Sequence, residues 1–186
     1  NPDLPGYGII SEHPQLFDIN CGAVGNDAGG PQGANGDWMH INAVNYNPEL
    51  DQIVISSRLQ DEIFILDHST TSEEAAGHVG GNSGKGGDFL YRWGNPANYR
   101  RGEESDRILG DQHSVNWIPP GYPGEGNLIL FNNFHEGSNS AVVEFITPLE
   151  NGDYILEDSE PYGPATWHWI YMGDISTPMQ GGAFRL

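Results

Sequence analysis

The sequence predicts an all-β fold built from repeated four-stranded antiparallel sheets, and three observations carry the prediction. Gly 26 and Pro 13 among 186 residues, with hydrophobic residues at 37%, favour short strands and many turns over helices. β-type runs recur between turn signals, and no long stretch holds a helical hydrophobic period. A set of four such runs then returns at a near-constant offset, which marks an internal repeat.

Asn1 to Ser11, rich in Pro and Gly, reads as an extended lead-in, and Pro14 to Ile19 as one short strand with Leu16, Phe17 and Ile19 apolar. Cys21 to Gly36 is glycine-rich and poor in apolar groups, so a loop is expected there. An antiparallel meander follows over Trp38 to His68. Its runs are Asp37 to Asn42, Gln52 to Arg58 and Glu62 to Asp67, separated by Asn47 to Asp51 and by Leu59 to Asp61. The first run carries His40 and Asn42 two positions apart. A strand's period of two would put both on one face, the start of a site.

Between His68 and Gln112 lies a long insertion with one strand expected over Asp88 to Gly94. The only helix-friendly stretches are Ser72 to Ala76 and Asn98 to Leu109. Gly77 to Gly87 invites comparison with a phosphate-binding loop, which needs Ser or Thr after the Lys, a glycine five positions before the Gly of the Gly-Lys pair, and a following helix. Here Gly86 follows Lys85, Val79 sits at the glycine position and a strand comes next, so the loop is read as structural.

From Gln112 the pattern begins again. His113 to Ile118 answers the first run, Asn127 to Asn133 the second, Ser140 to Ile146 the third and Thr166 to Tyr171 the fourth. His40 to His113 is 73 positions, Ile53 to Leu128 is 75, and Trp93 to Trp169 is 76. A third copy opens at Gln180 to Leu186. Repeated four-stranded sheets are the blades of a β-propeller, whose innermost strands line a central channel and which typically needs four to eight blades. The expected organisation is a β-propeller fragment: a lead-in with the end of a preceding blade over 1–36, a blade with a Gly-rich insertion over 37–111, a blade over 112–174 and the start of another over 175–186, with further blades on both sides.

The formal charge of −19, with Lys85 the sole lysine, argues against nucleic acid or an anionic membrane as partner, since both would be repelled. Such acidity fits a secreted or salt-tolerant protein. No run approaches the length needed to cross a bilayer. The chain opens at Asn1 with no signal peptide, which processing or truncation would explain. Cys21 alone excludes an internal disulfide framework and leaves the redox compartment open.

Asp37-Trp38-x-His40-x-Asn42, Ser56-x-Arg58, Gln112-His113 and Phe131-Asn132-Asn133 resemble the arylsulfotransferases, or aryl-sulfate sulfotransferases. His78-x-Gly80-Gly81-x-Ser83-Gly84-Lys85-Gly86-Gly87-Asp88 and Tyr91-Arg92-Trp93-Gly94-Asn95-Pro96 are similar to a bacterial branch of that family, and the likeness runs from about Asp37 to Phe145. The resemblance implies a six-bladed propeller, exported to the periplasm or outside the cell. It would move a sulfuryl group from an aryl sulfate to a phenol through a sulfated histidine, without a nucleotide sulfate donor or other cofactor. Its partners would be those small molecules and the remaining blades, with homo-oligomerisation left open. By the same resemblance His40 and His113 match channel-lining histidines, Asn133 the Asn of a Phe-Asp-Asn-Gly strand, and Arg58 an Arg of the second strand. Ser140-Ala141 stands where members have Ser-Arg, and the nucleophilic histidine belongs to a later blade.

Sulfuryl transfer spreads negative charge over three oxygens, so neutral or cationic donors are needed around them. His40 and His113 are therefore assigned to oxyanion binding and leaving-group protonation, Asn42 and Asn133 to neutral donation, and Arg58 to holding a sulfate oxygen pair. The rival readings are a non-catalytic extracellular or cell-surface propeller, favoured by Ala141, and a lyase or hydrolase using His and a metal. His13, His68, His135 and His168 have no paired partner at ligand spacing and read as surface or packing groups. The five tryptophans read as filling between sheets. Glu103 to Asp106 reads as a solvated turn, with no EF-hand loop in the chain.

Overall fold

The computed structural model describes residues 8–19, 21 and 37–186. All but Cys21 of the loop expected over Cys21 to Gly36, and most of the lead-in, lie outside the described residues. The strands are β1 (Ile41–Asn47), β2 (Gln52–Ser57), β3 (Glu62–Asp67), β4 (Tyr91–Trp93), β5 (His113–Trp117), β6 (Leu128–Glu136), β7 (Asn139–Phe145), β8 (Leu149–Glu150), β9 (Asp153–Tyr154) and β10 (Trp169–Tyr171), with one short helix, α1 (Ser72–Ala75). They form two four-stranded antiparallel meanders, β1-β2-β3-β4 and β5-β6-β7-β10, plus the hairpin β8-β9. The fold class is all-β, as the turn-rich composition predicts.

One apolar core joins the two meanders, drawing Val54, Ile63, Ile65, Tyr91 and Trp93 from the first and Leu128, Leu130, Ala141, Val143 and Phe145 from the second. Trp93 stacks on Phe145 with ring centroids 3.9 Å apart, and Tyr91 on Tyr154 at 5.1 Å. Burying one large apolar side chain stabilises by about 1.5–3 kcal/mol, so this seam holds the sheets together. β3 reads as a continuous apolar run because both its faces are covered. Ile63 and Ile65 face the second sheet, while Phe64 lies on the other side, stacked on Phe89 at 4.4 Å and edge-on to Phe17 at 5.6 Å.

That outer face also buries a charge. Arg92 donates from Nε to Glu62 Oε1 at 2.8 Å and from Nη2 to Oε2 at 2.5 Å, with neither side chain exposed. Its Nη1 reaches the carbonyls of Pro14 at 3.3 Å and Leu16 at 3.2 Å, and the guanidinium lies 4.3 Å from the Tyr99 ring centroid. Burial pushes the Glu62 carboxyl up, against the downward pull of Arg92.

Three sequence expectations change here. Pro14 to Ile19 is a strap and not a strand: its carbonyls serve Arg92, and Gln15 O accepts Phe89 N at 2.9 Å. Asn98 to Leu109 holds no α-helix, only 3-10 turns at Pro96–Tyr99 and Glu104–Asp106 separated by Arg100 at φ +57°. β4 ends at Trp93 because Gly94 turns the chain at φ +127°, where a Cβ would lie 2.3 Å from the Asp61 carbonyl. The short helix predicted at Ser72 forms, closed by a capping box in which Glu74 N donates to Thr71 Oγ1 at 3.3 Å and Thr71 N to Glu74 Oε2 at 2.8 Å.

The register of the first strands corrects the expected repeat. Asn45 pairs with Val54 and Asn116 with Ile129, while Leu59 N donates to Met39 O and Phe134 N to Gly110 O. The second strands correspond at an offset of 75, since 54 maps to 129 and 59 to 134; the first strands therefore correspond at 71, since 45 maps to 116 and 39 to 110. Each first strand carries one extra residue as a bulge, between Ile41 and Ala43 or between His113 and Asn116. Counted from these flanks His113 takes the position of Asn42 and His40 that of Asp111, although the bulges fall differently: Asn42 has no ladder partner, while His113 pairs with Phe131. Backbone angles agree before the bulges, with φ +50° at His40 and +51° at Asp111, and differ within them, where Ser114 at φ +60° has no left-handed counterpart at Ala43.

Candidate functional site

The two first strands lie against each other, and side chains stitch them. Asn42 Nδ2 donates to Gln112 O at 2.8 Å, and Trp117 N to Asn45 Oδ1 at 3.1 Å. Gln112 is fully buried and points its Nε2 at Ser56 Oγ, Ser57 O and Glu62 O, each 3.0 Å away, so β5 is clasped to the first sheet. On the far side of β5, Asn116 Nδ2 donates to Ala183 O at 3.0 Å, which brings 180–184 alongside β5 as β5 stands alongside β1.

The three neighbours bound a groove of about 480 Å³ whose lining includes Asn42, Asn45, His113, Gln180 and Phe184. His113 reaches it from the start of β5. Its Nδ1 lies 2.9 Å from Asp111 O and 2.8 Å from Asn133 Oδ1. Asn133 is fully buried, and its Nδ2 donates to Thr177 O at 2.9 Å and Gln180 O at 2.7 Å. Asn42 Oδ1 is sealed from solvent with no hydrogen-bond partner.

The residues singled out from sequence are distributed unevenly around this groove. Asn42 and His113 share it. His40 lines a separate hollow made by residues 37–41, where its Nδ1 meets Asp37 Oδ2 at 2.5 Å. It precedes β1 in the left-handed region, so the strand period that would align it with Asn42 does not apply. Arg58 is half-buried and ion-paired through Nη2 with Asp111 Oδ2. Asn133 stands behind His113, both of its amide protons committed to carbonyls. Sequence reasoning missed Asp111, whose carbonyl holds His113 and whose carboxylate holds Arg58. No motif flags it, because its contribution to His113 is a backbone atom.

Asp111 also lines, with Asp61, Arg107, Gly110 and His135, a second, polar cleft of about 420 Å³. Arg107 donates to Asp61 Oδ2 at 2.7 Å and Asp111 N to Asp61 Oδ1 at 2.7 Å, so the cation and that carboxylate satisfy each other. Burial pushes the Asp61 carboxyl up and the His135 imidazole down. His68 sits elsewhere, at the surface, bonded to Asp51 Oδ1 at 2.7 Å. Among the described residues no group of three or more His, Cys, Asp or Glu side chains is arranged to hold a metal ion.

An imidazole braced on one nitrogen beside an open groove can accept or deliver a proton at the other. Comparison with known families gives a match to the arylsulfotransferase (ASST) family model over residues 17–144. Comparison with curated proteins gives no match.

Proposed function

The chain belongs to the arylsulfotransferase family, and from that premise we propose that it forms part of an enzyme moving a sulfuryl group from an aryl sulfate to a phenolic acceptor by way of a histidine. The observation that carries the reading is His113, held on Nδ1 by Asp111 and Asn133 at the wall of the groove. The two meanders, with β1, β5 and 180–184 side by side, are read as neighbouring blades of a propeller whose first strands line its channel. His40, in its own hollow near the same strand ends, is read as a contact for the part of the substrate outside the groove. Localisation in the periplasm or outside the cell goes with this reading, as does the formal charge of −19.

An aryl sulfate approaches a chain of formal charge −19 against a repulsive field, which salt screens beyond about 8–10 Å. Local donors then decide binding. A second reading, a non-catalytic propeller that binds without turnover, is favoured by two specific facts. Ala141, where the family resemblance expects Arg, is fully buried in the core, and Arg58 already has Asp111 as counter-ion.

Incubation of the intact protein with a chromogenic aryl sulfate and a phenol separates the readings. Transfer that is unchanged by chelator, and that falls about 100-fold or more in His113→Ala, is the expected result. Inactivity of the unmodified protein would leave the binding reading in its place.

A further inference from the structure

We infer that His113 carries its proton on Nδ1 and presents the bare Nε2 lone pair to the groove, and that Asn133 is the positioning residue that fixes this tautomer. The inference rests on the transferase reading for its chemistry but on hydrogen-bond geometry for its substance. A neutral imidazole has one N–H and one acceptor nitrogen, and the bonds around the ring decide which is which.

Around His113 they decide without ambiguity. The two atoms facing Nδ1 are Asp111 O at 2.9 Å, which can only accept, and Asn133 Oδ1 at 2.8 Å. Amide orientation normally has to be assigned from the hydrogen-bond network. Here the other end of the Asn133 amide faces two carbonyls, Thr177 O at 2.9 Å and Gln180 O at 2.7 Å. Turning the amide over would set its oxygen against both carbonyls and its NH2 against the ring, stranding buried polar groups. Asn133 therefore accepts at Oδ1, and Nδ1 must donate. Nε2 has no partner among the described residues and is not among the sealed atoms, so its lone pair is open to a ligand in the groove.

The consequence is a proton-accepting role toward the acceptor phenol, the reverse of the leaving-group protonation expected from sequence. A phenol placed with its hydroxyl against Nε2 donates a hydrogen bond to it. As the phenol oxygen forms its bond to sulfur, the bond from sulfur to the nitrogen of the sulfated histidine breaks and leaves its electron pair on that nitrogen, while the phenol O–H bond gives its electron pair to oxygen and its proton to Nε2. The imidazolium so formed keeps both Nδ1 acceptors, Asp111 O and Asn133 Oδ1, which stabilise its charge. His113 then acts as general base for the acceptor substrate.

Nitrogen NMR of the intact protein labelled with 15N-histidine reads the tautomer directly, with the His113→Gln variant used to assign the signal. A proton on Nδ1 and none on Nε2 in the neutral ring is the expected result, and a proton on Nε2 overturns the inference. In Asn133→Ala the Nδ1–H population should fall, with kcat down about tenfold and KM within about twofold. A raised KM with unchanged kcat and tautomer would make Asn133 structural only. Should that variant fail to fold, the signal of the unmodified protein decides alone. Because the tautomer is read without turnover, an Nδ1–H signal in a protein that transfers no sulfuryl group overturns the transferase reading and leaves the tautomer standing.

Discussion

Replacing Arg92 with Met should cost the fold about 3–5 kcal/mol, the loss expected when one partner of a buried ion pair is removed and the other is left behind. The guanidinium makes four hydrogen bonds, two to Glu62 and one each to the Pro14 and Leu16 carbonyls, and Met can make none of them. Glu62 would remain fully buried with Asn98 Nδ2, at 2.9 Å from Oε2, as its remaining side-chain donor. Against a total stability of about 5–15 kcal/mol this is a large fraction. With a urea m-value of about 2 kcal/mol/M the unfolding midpoint drops by about 2 M. The sign with pH follows from Glu62, whose carboxyl burial already pushes up and which loses the opposing pull of Arg92 in the variant. Its raised value means that the folded state holds the proton where the unfolded state has released it. The contribution is whole below the unfolded carboxylate value and is lost as pH rises toward the folded one. Urea titrations followed by tryptophan fluorescence at acid and at neutral pH should therefore show a larger deficit at neutral pH. A deficit below about 1 kcal/mol, or one that does not grow with pH, refutes the account of Arg92 as the partner that keeps Glu62 tolerable. Arg92→Met/Glu62→Leu should recover more than half the loss, since replacing both partners with apolar groups is often close to neutral.

Gly94→Ala should destabilise by more than about 2 kcal/mol, because a methyl group at φ +127° would stand 2.3 Å from the Asp61 carbonyl; an unchanged melting temperature would count against the tight turn. Cys21 should resist thiol reagents in the folded protein at mildly alkaline pH and react after addition of urea, since burial pushes its thiol up to about 12; fast labelling without urea is the contrary result.

The fold was legible wherever a local rule acts alone. Composition and recurring β-type runs give the two meanders, and the helix-friendly stretch from Ser72 gives the short helix. Legibility ends where a tertiary partner overrides local preference. Pro14 to Ile19 has a strand's composition, yet a buried guanidinium claims its carbonyls. The match of His40 to His113 came from residue identity, whereas counting from the paired flanks sets His113 at the position of Asn42, across bulges that no residue type announces. Within the site, Asn42 and His113 were readable as polar groups on first strands. Asp111 was not, and the standing of Asn133 behind the imidazole depends on Thr177 and Gln180, more than forty positions further along.

The matching positions of Asn42 and His113, counted from the paired flanks of the first strands, separate scaffold from chemistry. Neighbouring sheets hold corresponding positions, each beside a one-residue bulge and each with a left-handed residue two positions earlier, but one is filled by an amide that bonds the chain leading into the adjacent strand and the other by an imidazole. Duplication of such a unit supplies spare sockets whose occupants can diverge one by one while the ladders that carry them stay in step.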